Sequence, residues 1–175
     1  VNSKISPSSD LETIKTEIVL SDIDIVQKKL VKSKKKLLEN KEIKILEEKL
    51  SQLDSSQEVK IGNEDESKFL SSIGLLSIKP KIIVCNLDEE NLSKGNRYTE
   101  EVKAKYPNEK IINICADIED QLSGLDKNEK EAFMQDIGLN KTGLNQLIKE
   151  GYDLLKLDTF FTSGPQESRA WTVRK

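Results

Sequence analysis

The stretch Lys81-Ile82-Ile83-Val84-Cys85-Asn86-Leu87-Asp88-Glu89 reads as a short apolar strand that closes on an amide and reaches a carboxylate three residues later. Such a run puts side-chain hydrogen-bonding groups at the carboxyl end of a buried strand, where open α/β sheets bind ligands. Asn86 offers both a donor and an acceptor, the pair a nucleobase edge requires. The plainer reading is that an Asn closing a strand serves the turn that follows. No G-x-x-x-x-G-K-[ST] phosphate loop occurs within the 175 residues.

Outward from that strand, the pattern alternates between strand and helix. A strand over Lys81 to Cys85, a helix from about Tyr98 to Lys105 and a strand over Lys110 to Cys115 make a βαβ unit, hence a parallel sheet. Upstream, a short helix carrying Phe69, Leu70, Ile73, Leu75 and Leu76 stops before Lys79-Pro80. Residues Ser55 to Ser67 read as a connection. Downstream, Ile118 to Leu122 reads as a helical turn. Asp126 with Glu129 three residues on is a capping-box variant that opens a helix, and Gly138 closes it. Thr142 caps a further helix whose buried face comprises Leu144, Leu147, Ile148, Tyr152 and Leu155. Two β-rich runs around Ser163-Gly164-Pro165 predict a hairpin, in which Trp171 packs across the strands rather than serving as a stacking platform.

The amino-terminal third has another character. Val1 to Ser9 reads as an entry segment, and a helix is expected from Asp10, whose carboxylate can cap its first turn. Neither Gly nor Pro appears from there to Asp54. Val19, Ile23, Val26, Leu30 and Leu37 lie on one heptad seam, with Ser33 in the intervening position, and Ile43, Leu46, Leu50 and Leu53 make another. A narrow apolar stripe needs a partner helix. An antiparallel hairpin folding over near Ser33 to Leu38 supplies one, and the alternative is one uninterrupted helix that dimerises.

Composition agrees with solvated helices: the chain is 35% hydrophobic, 34% charged and 5% aromatic. A net charge of −3 gives no whole-chain field favouring nucleic acid or anionic membrane. Lys28 to Lys44 nonetheless holds eight Lys against two Glu. Lys28, Lys29, Lys32, Lys34, Lys35 and Lys36 are the candidate contacts to RNA phosphate, which a lysine cluster binds through counterion release; the bland alternative is a solvated helix end. No aromatic is interleaved with them, so base stacking is not supported there. The two cysteines, Cys85 and Cys115, lack C-x-x-C spacing and sit in expected strands, which points to reduced core thiols rather than a disulfide or zinc site. The chain has no His, the commonest general base and metal ligand. No metal ligand set and no catalytic residue are assigned. No apolar run approaches the roughly 18 residues that span a bilayer, and the default location is cytoplasmic.

Several stretches together resemble the YchF-type branch of the Obg-like P-loop ATPases, over essentially the whole length. They are Asp10-Leu11-Glu12-Thr13-Ile14-Lys15-Thr16-Glu17, Lys79-Pro80 leading into Asn86-Leu87-Asp88-Glu89, Leu125-Asp126-Lys127-Asn128-Glu129, Gly143-Leu144-Asn145-Gln146-Leu147-Ile148, and Phe161-Thr162-Ser163-Gly164-Pro165 with Arg169-Ala170-Trp171-Thr172. The resemblance implies an α/β fold: part of a doubly wound P-loop NTPase sheet over 1–18 and 68–157, a helical coiled-coil hairpin inserted over 19–67, and the first hairpin of a β-grasp TGS domain over 158–175. In GTPases of the wider class the base motif is N-K-x-D; this branch carries N-x-x-E, here Asn86 to Glu89, and prefers adenine nucleotides. Moving the carboxylate out by one methylene disturbs two-point pairing with guanine. Carried over, Asn86 bonds the base edge, Leu87 packs on it or bonds it through its backbone, and Glu89 orients the loop. Cys115-Ala116-Asp117 fills the place of the second base loop, with Asp117 where most GTPases have Lys.

In that family the phosphate loop, the magnesium-binding Ser/Thr and the switch segments precede the position matching Val1, and further TGS strands follow Lys175. The expectation is therefore an internal piece that carries the adenine-recognition motif of an ATP- and magnesium-dependent, ribosome- or RNA-associated ATPase and does not hydrolyse ATP alone. Two rivals stand beside it: a ribosome- or RNA-binding module without hydrolysis, and a coiled coil that self-associates through the helical hairpin.

Overall fold

Residues 5–33, 40–55 and 59–175 are described in a computed structural model. In chain order the elements are α1 (Pro7–Ser33), α2 (Asn40–Asp54), α3 (Glu64–Ile73), β1 (Ile82–Asn86), a 3₁₀ turn (Glu89–Asn91), α4 (Arg97–Lys105), β2 (Lys110–Ile114), α5 (Ala116–Ser123), α6 (Lys127–Asp136), α7 (Gly143–Leu154), β3 (Leu157–Ser163) and β4 (Ser168–Arg174). They pack as two units, Val1–Lys79 and Pro80–Lys175.

In the first unit, Pro7 rather than the expected Asp10 starts α1, and Asp10 falls in its first turn. Proline's fixed φ and missing N–H suit the first helical position. Helix α1 stops at Ser33, α2 resumes at Asn40, and the two pack on one another within one chain. Most of the expected fold-over from Ser33 to Leu38 lies outside the described residues. Val26 of the first seam and Leu46 and Leu53 of the second join Leu70 and Leu75 in a single core, bordered by Val19, Ile23, Leu30 and Leu50. Ile45 rather than Ile43 packs against it. A core that also takes α3 needs a wider apolar stripe than a two-helix seam. Asn63 caps α3 by accepting the Glu66 N–H, and Gly74 closes it in the left-handed region at φ 87, where a side chain would be strained.

The second unit is built on a two-stranded parallel sheet, with Ile82 opposite Lys110 and Asn86 opposite Ile114. Strand β1 thus runs to Asn86 itself, one residue beyond the expected end. The crossover helix α4 is fixed at its start by a capping box of Asn96 and Thr99, and it buries Thr99 and Val102. Past β2, Cys115, Ile118 and Leu122 form a second core with Leu125, Phe133, Met134, Ile137 and Leu139. The expected Asp126–Glu129 capping box and the Thr142 cap are both present.

Helix α7 departs from expectation. None of its residues is fully buried, and Leu144, Ile148 and Leu155 stay 53, 51 and 53% exposed. The periodicity marks an apolar face; it does not say how much of that face a neighbour covers. Strands β3 and β4 pair antiparallel with Phe160 opposite Trp171, and Gly164 N–H donates to the Glu167 carbonyl (2.8 Å) to close the turn. The Trp171 indole N–H donates to Thr162 Oγ1 (2.8 Å), yet the ring is still 45% exposed. Among the described residues no helix is long and apolar enough to cross a membrane.

Candidate functional site at the carboxyl ends of the parallel strands

Parallel pairing brings the two sequence-singled loops together. Past the last ladder pair, Leu87 N–H donates to the Ile114 carbonyl (2.8 Å), extending the register by one step. The Asn86 side chain then crosses between the loops, its Oδ1 accepting the Ala116 N–H at 3.0 Å. Asn86 and Ala116 are both exposed and Leu87 is half-buried, so the pair lies at a surface open to ligand. With Oδ1 engaged, the Nδ2 amide is the polar group with which Asn86 can address a base.

Cys115 has another part. It is the N-cap residue of α5 but makes no side-chain capping bond, and at 2% exposure it sits in the core with Ile118 and Leu122. Its thiol anchors the turn from within, and the exposed Ala116 is what the turn presents. Glu89 opens the 3₁₀ turn and is exposed. It lines a groove of about 560 Å³ floored by Leu92, Ile118, Ile137 and Leu139. Neither Asn86 nor Ala116 lines that groove. The structure therefore joins Asn86 to Ala116 and leaves Glu89 on a neighbouring surface.

Partial burial pushes the Cys85 thiol up in pKa, against the opposing influence of Lys103; of the two cysteines expected in the core, only Cys115 lies there, and Cys85 is half-buried on β1. Of the lysine candidates, Lys28 and Lys32 are exposed on α1 and Lys29 is half-buried, with Lys28 paired to Asp24 one turn earlier. Lys34, Lys35 and Lys36 lie outside the described residues. Among the described residues no three His, Cys, Asp or Glu side chains converge as metal ligands.

Three polar contacts that hold these surfaces escaped the sequence reading. The fully buried Asp22 accepts the backbone N–H groups of Leu76 and Ser77, each at 2.8 Å. Its partners are 54 and 55 residues away, so no local signal could reveal it. Buried Lys49 meets Glu66 Oε1 at 2.6 Å; here Asn63-x-x-Glu66 was a legible helix-start pattern. Glu119 Oε1 accepts the Gly143 N–H (2.6 Å), tying the turn after β2 to the start of α7.

No protein-family model matches the chain. Among curated proteins, the ribosome-binding ATPase YchF of Bacillus subtilis is 35% identical over 187 residues, covering 100% of this chain and 51% of that protein. The ribosome-binding ATPase YchF of Escherichia coli O157:H7 is 32% identical over 182 residues, covering 99% and 50% respectively. Among solved structures, the Schizosaccharomyces pombe YchF GTPase matches with a TM-score of 0.81 at 26% identity, over 99% of this chain and 50% of that one. The chain belongs to the YchF-type branch of the Obg-like family. It spans about half the length of the curated relatives it matches. Its α/β fold accordingly corresponds to part of a P-loop NTPase of the YchF type.

Proposed function

We propose that this chain carries the base-reading part of a YchF-type nucleotide site and that the base read is adenine. The supporting observation is the Asn86 Oδ1 to Ala116 N–H bond, which couples the loop after β1 to the loop after β2 at the strand ends, where open α/β sheets take ligands. In this reading Asn86 donates from Nδ2 to a ring nitrogen, Leu87 packs beneath the base, Glu89 orients the loop, and Cys115 holds the turn that presents Ala116. ATP is the nucleotide of the curated relatives' printed names and GTP that of the solved structure's, and hydrolysis is assigned to no residue of this chain. The lysines from Lys28 to Lys36 face ribosomal RNA in a cytoplasmic setting. Helices α1 and α2 make the coiled-coil hairpin, and β3 with β4 the opening hairpin of a TGS domain.

Titration of the 175-residue chain with AMP, followed by amide chemical shifts, tests the base site. Shifts confined to Asn86–Glu89 and Cys115–Asp117 are expected. Silence at these amides with millimolar AMP would refute the reading.

A further inference from the structure

We infer that the groove beside Glu89 and a second hollow next to it form one docking surface for a partner peptide with an apolar centre, a basic residue at one end and an acidic residue at the other. Both lie within the second unit, Pro80–Lys175, and nothing in the inference depends on the nucleotide reading.

The groove of about 560 Å³ carries the exposed carboxylates of Glu89, Glu90 and Asp136 around its apolar floor. The second hollow, of about 260 Å³, carries the exposed ammonium groups of Lys103 and Lys141, with Asn113 beside them. Among the described residues neither lining mixes the two signs. Leu92, Ser93 and Leu139 line both hollows, so an occupant that follows the shared apolar wall passes from carboxylates to ammoniums. Opposite potentials at the two ends select an occupant with the complementary order of charge. A polyanion would suit only the lysine end, and a polyamine only the carboxylate end.

The second hollow adds an independent sign of an occupant. Asn113 Oδ1 is buried and has no hydrogen-bond partner among the described residues, whereas buried acceptors are as a rule paired. A peptide supplies the missing donor with a main-chain N–H, while its side chains fill the apolar wall and meet the charges at either end. Lys103 is shared with Glu100 one turn earlier (2.9 Å), which makes Lys141 the ammonium to alter.

Three acetylated and amidated peptides test the surface: leucines flanked by lysines on one side and glutamates on the other, the same leucines between lysines only, and the same between glutamates only. Each is titrated into the 175-residue chain and followed by amide shifts. The mixed peptide is expected to bind about five- to tenfold more tightly than either control, because each control turns one attractive end into a repulsive one. Its shifts should centre on Leu92, Ser93, Leu139 and the Asn113 side-chain amide. Asp136→Lys is expected to raise the all-glutamate peptide relative to the mixed one by about fivefold, and Lys141→Glu to do the same for the all-lysine peptide. Both substitutions suit their helices: Asp136 ends α6, where a cation complements the dipole, and Lys141 precedes the Thr142 cap of α7, where an anion does.

Equal binding of the three peptides by the wild type would overturn the inference, as would an unchanged ranking in either variant. Silence at these amides with millimolar mixed peptide would overturn it as well. The same shifts on concentrating the chain without peptide would give the surface to a second copy and remove the partner peptide from it.

Discussion

Lys49 lies in the first unit's core with its side chain 2% exposed, held by Glu66 (2.6 Å), by Glu48 (3.0 Å) and by the Lys60 carbonyl (2.6 Å). Burial alone would lower its pKa, but the hydrogen bonds it donates to Glu66 and Glu48 outweigh that and hold it above the ordinary lysine value. The Lys49 ammonium likewise holds the Glu66 carboxyl below the ordinary glutamate range, against desolvation and with help from the Gly62 N–H. A depressed carboxyl contributes stability that is present above its unfolded pKa and lost as pH falls through its folded one; a raised ammonium contributes stability lost as pH rises through its folded value. The pair therefore supports the fold across neutral pH and fails at both extremes. Lys49→Ala, which strands Glu66 in the core, is expected to lose about 3–5 kcal/mol in urea unfolding. Glu66→Gln should flatten the acid limb of stability against pH, and an unchanged acid limb would refute the pair's role. Lys49 was legible in one respect: it stands three residues after Leu46 and four before Leu53, on the seam's own face. That a lysine there would be buried depended on Glu66, which the sequence reading left in a connection.

At the scale of elements, local signals worked where the partners were local. The Asp126–Glu129 box, the Thr142 cap and the turn at Gly164 all close within a few residues, so their chemistry is written in adjacent letters. Gly143 is the contrary case. A Cβ there would stand 2.8 Å from Ile114 Cγ2 and 3.0 Å from Glu119 Oε1, because α7 starts against the end of β2 and accepts a carboxylate from α5. Gly143→Ala is expected to cost about 1–3 kcal/mol by overpacking and to shift the amide resonances of Ala116 and Asn86 through Ile114. A silent substitution would mean that α7 does not position the turn. The Leu144, Ile148 and Leu155 edge shows the limit of periodicity, for an apolar stripe states a preference and a neighbour decides burial. Tyr152, on the same helix, reaches the Thr159 and Thr172 hydroxyls, which pull its pKa down, a contact between helix and hairpin that no spacing rule announces.

At the scale of the whole molecule, each unit has its own core, and the two proposed contacts, lysine patch and base site, belong to different units. They should therefore respond to different perturbations. Pelleting of the chain with ribosomes is expected to weaken steeply with salt, and the slope to become shallower by roughly 0.7–0.9 for each phosphate-contacting lysine removed among Lys28, Lys29, Lys32, Lys34, Lys35 and Lys36. AMP-induced shifts at Asn86 should be untouched by the same changes; salt-insensitive pelleting would rule the patch out. The α/β class, the parallel pair and the β3–β4 hairpin were readable from sequence alone, because apolar period and capping residues act over one or two turns of chain, whereas the choice between a helical pair and one long helix was not. So was the N-x-x-E stretch as a candidate. The tertiary structure alone decided that Asn86 spends its carbonyl on Ala116, that Cys115 faces inward while Ala116 faces out, that Glu89 lines a separate groove, and that Asp22 and Lys49 are buried. Each of those outcomes depends on groups brought together from distant positions by packing, and the hydrogen bond or burial that results belongs to the pair rather than to either residue.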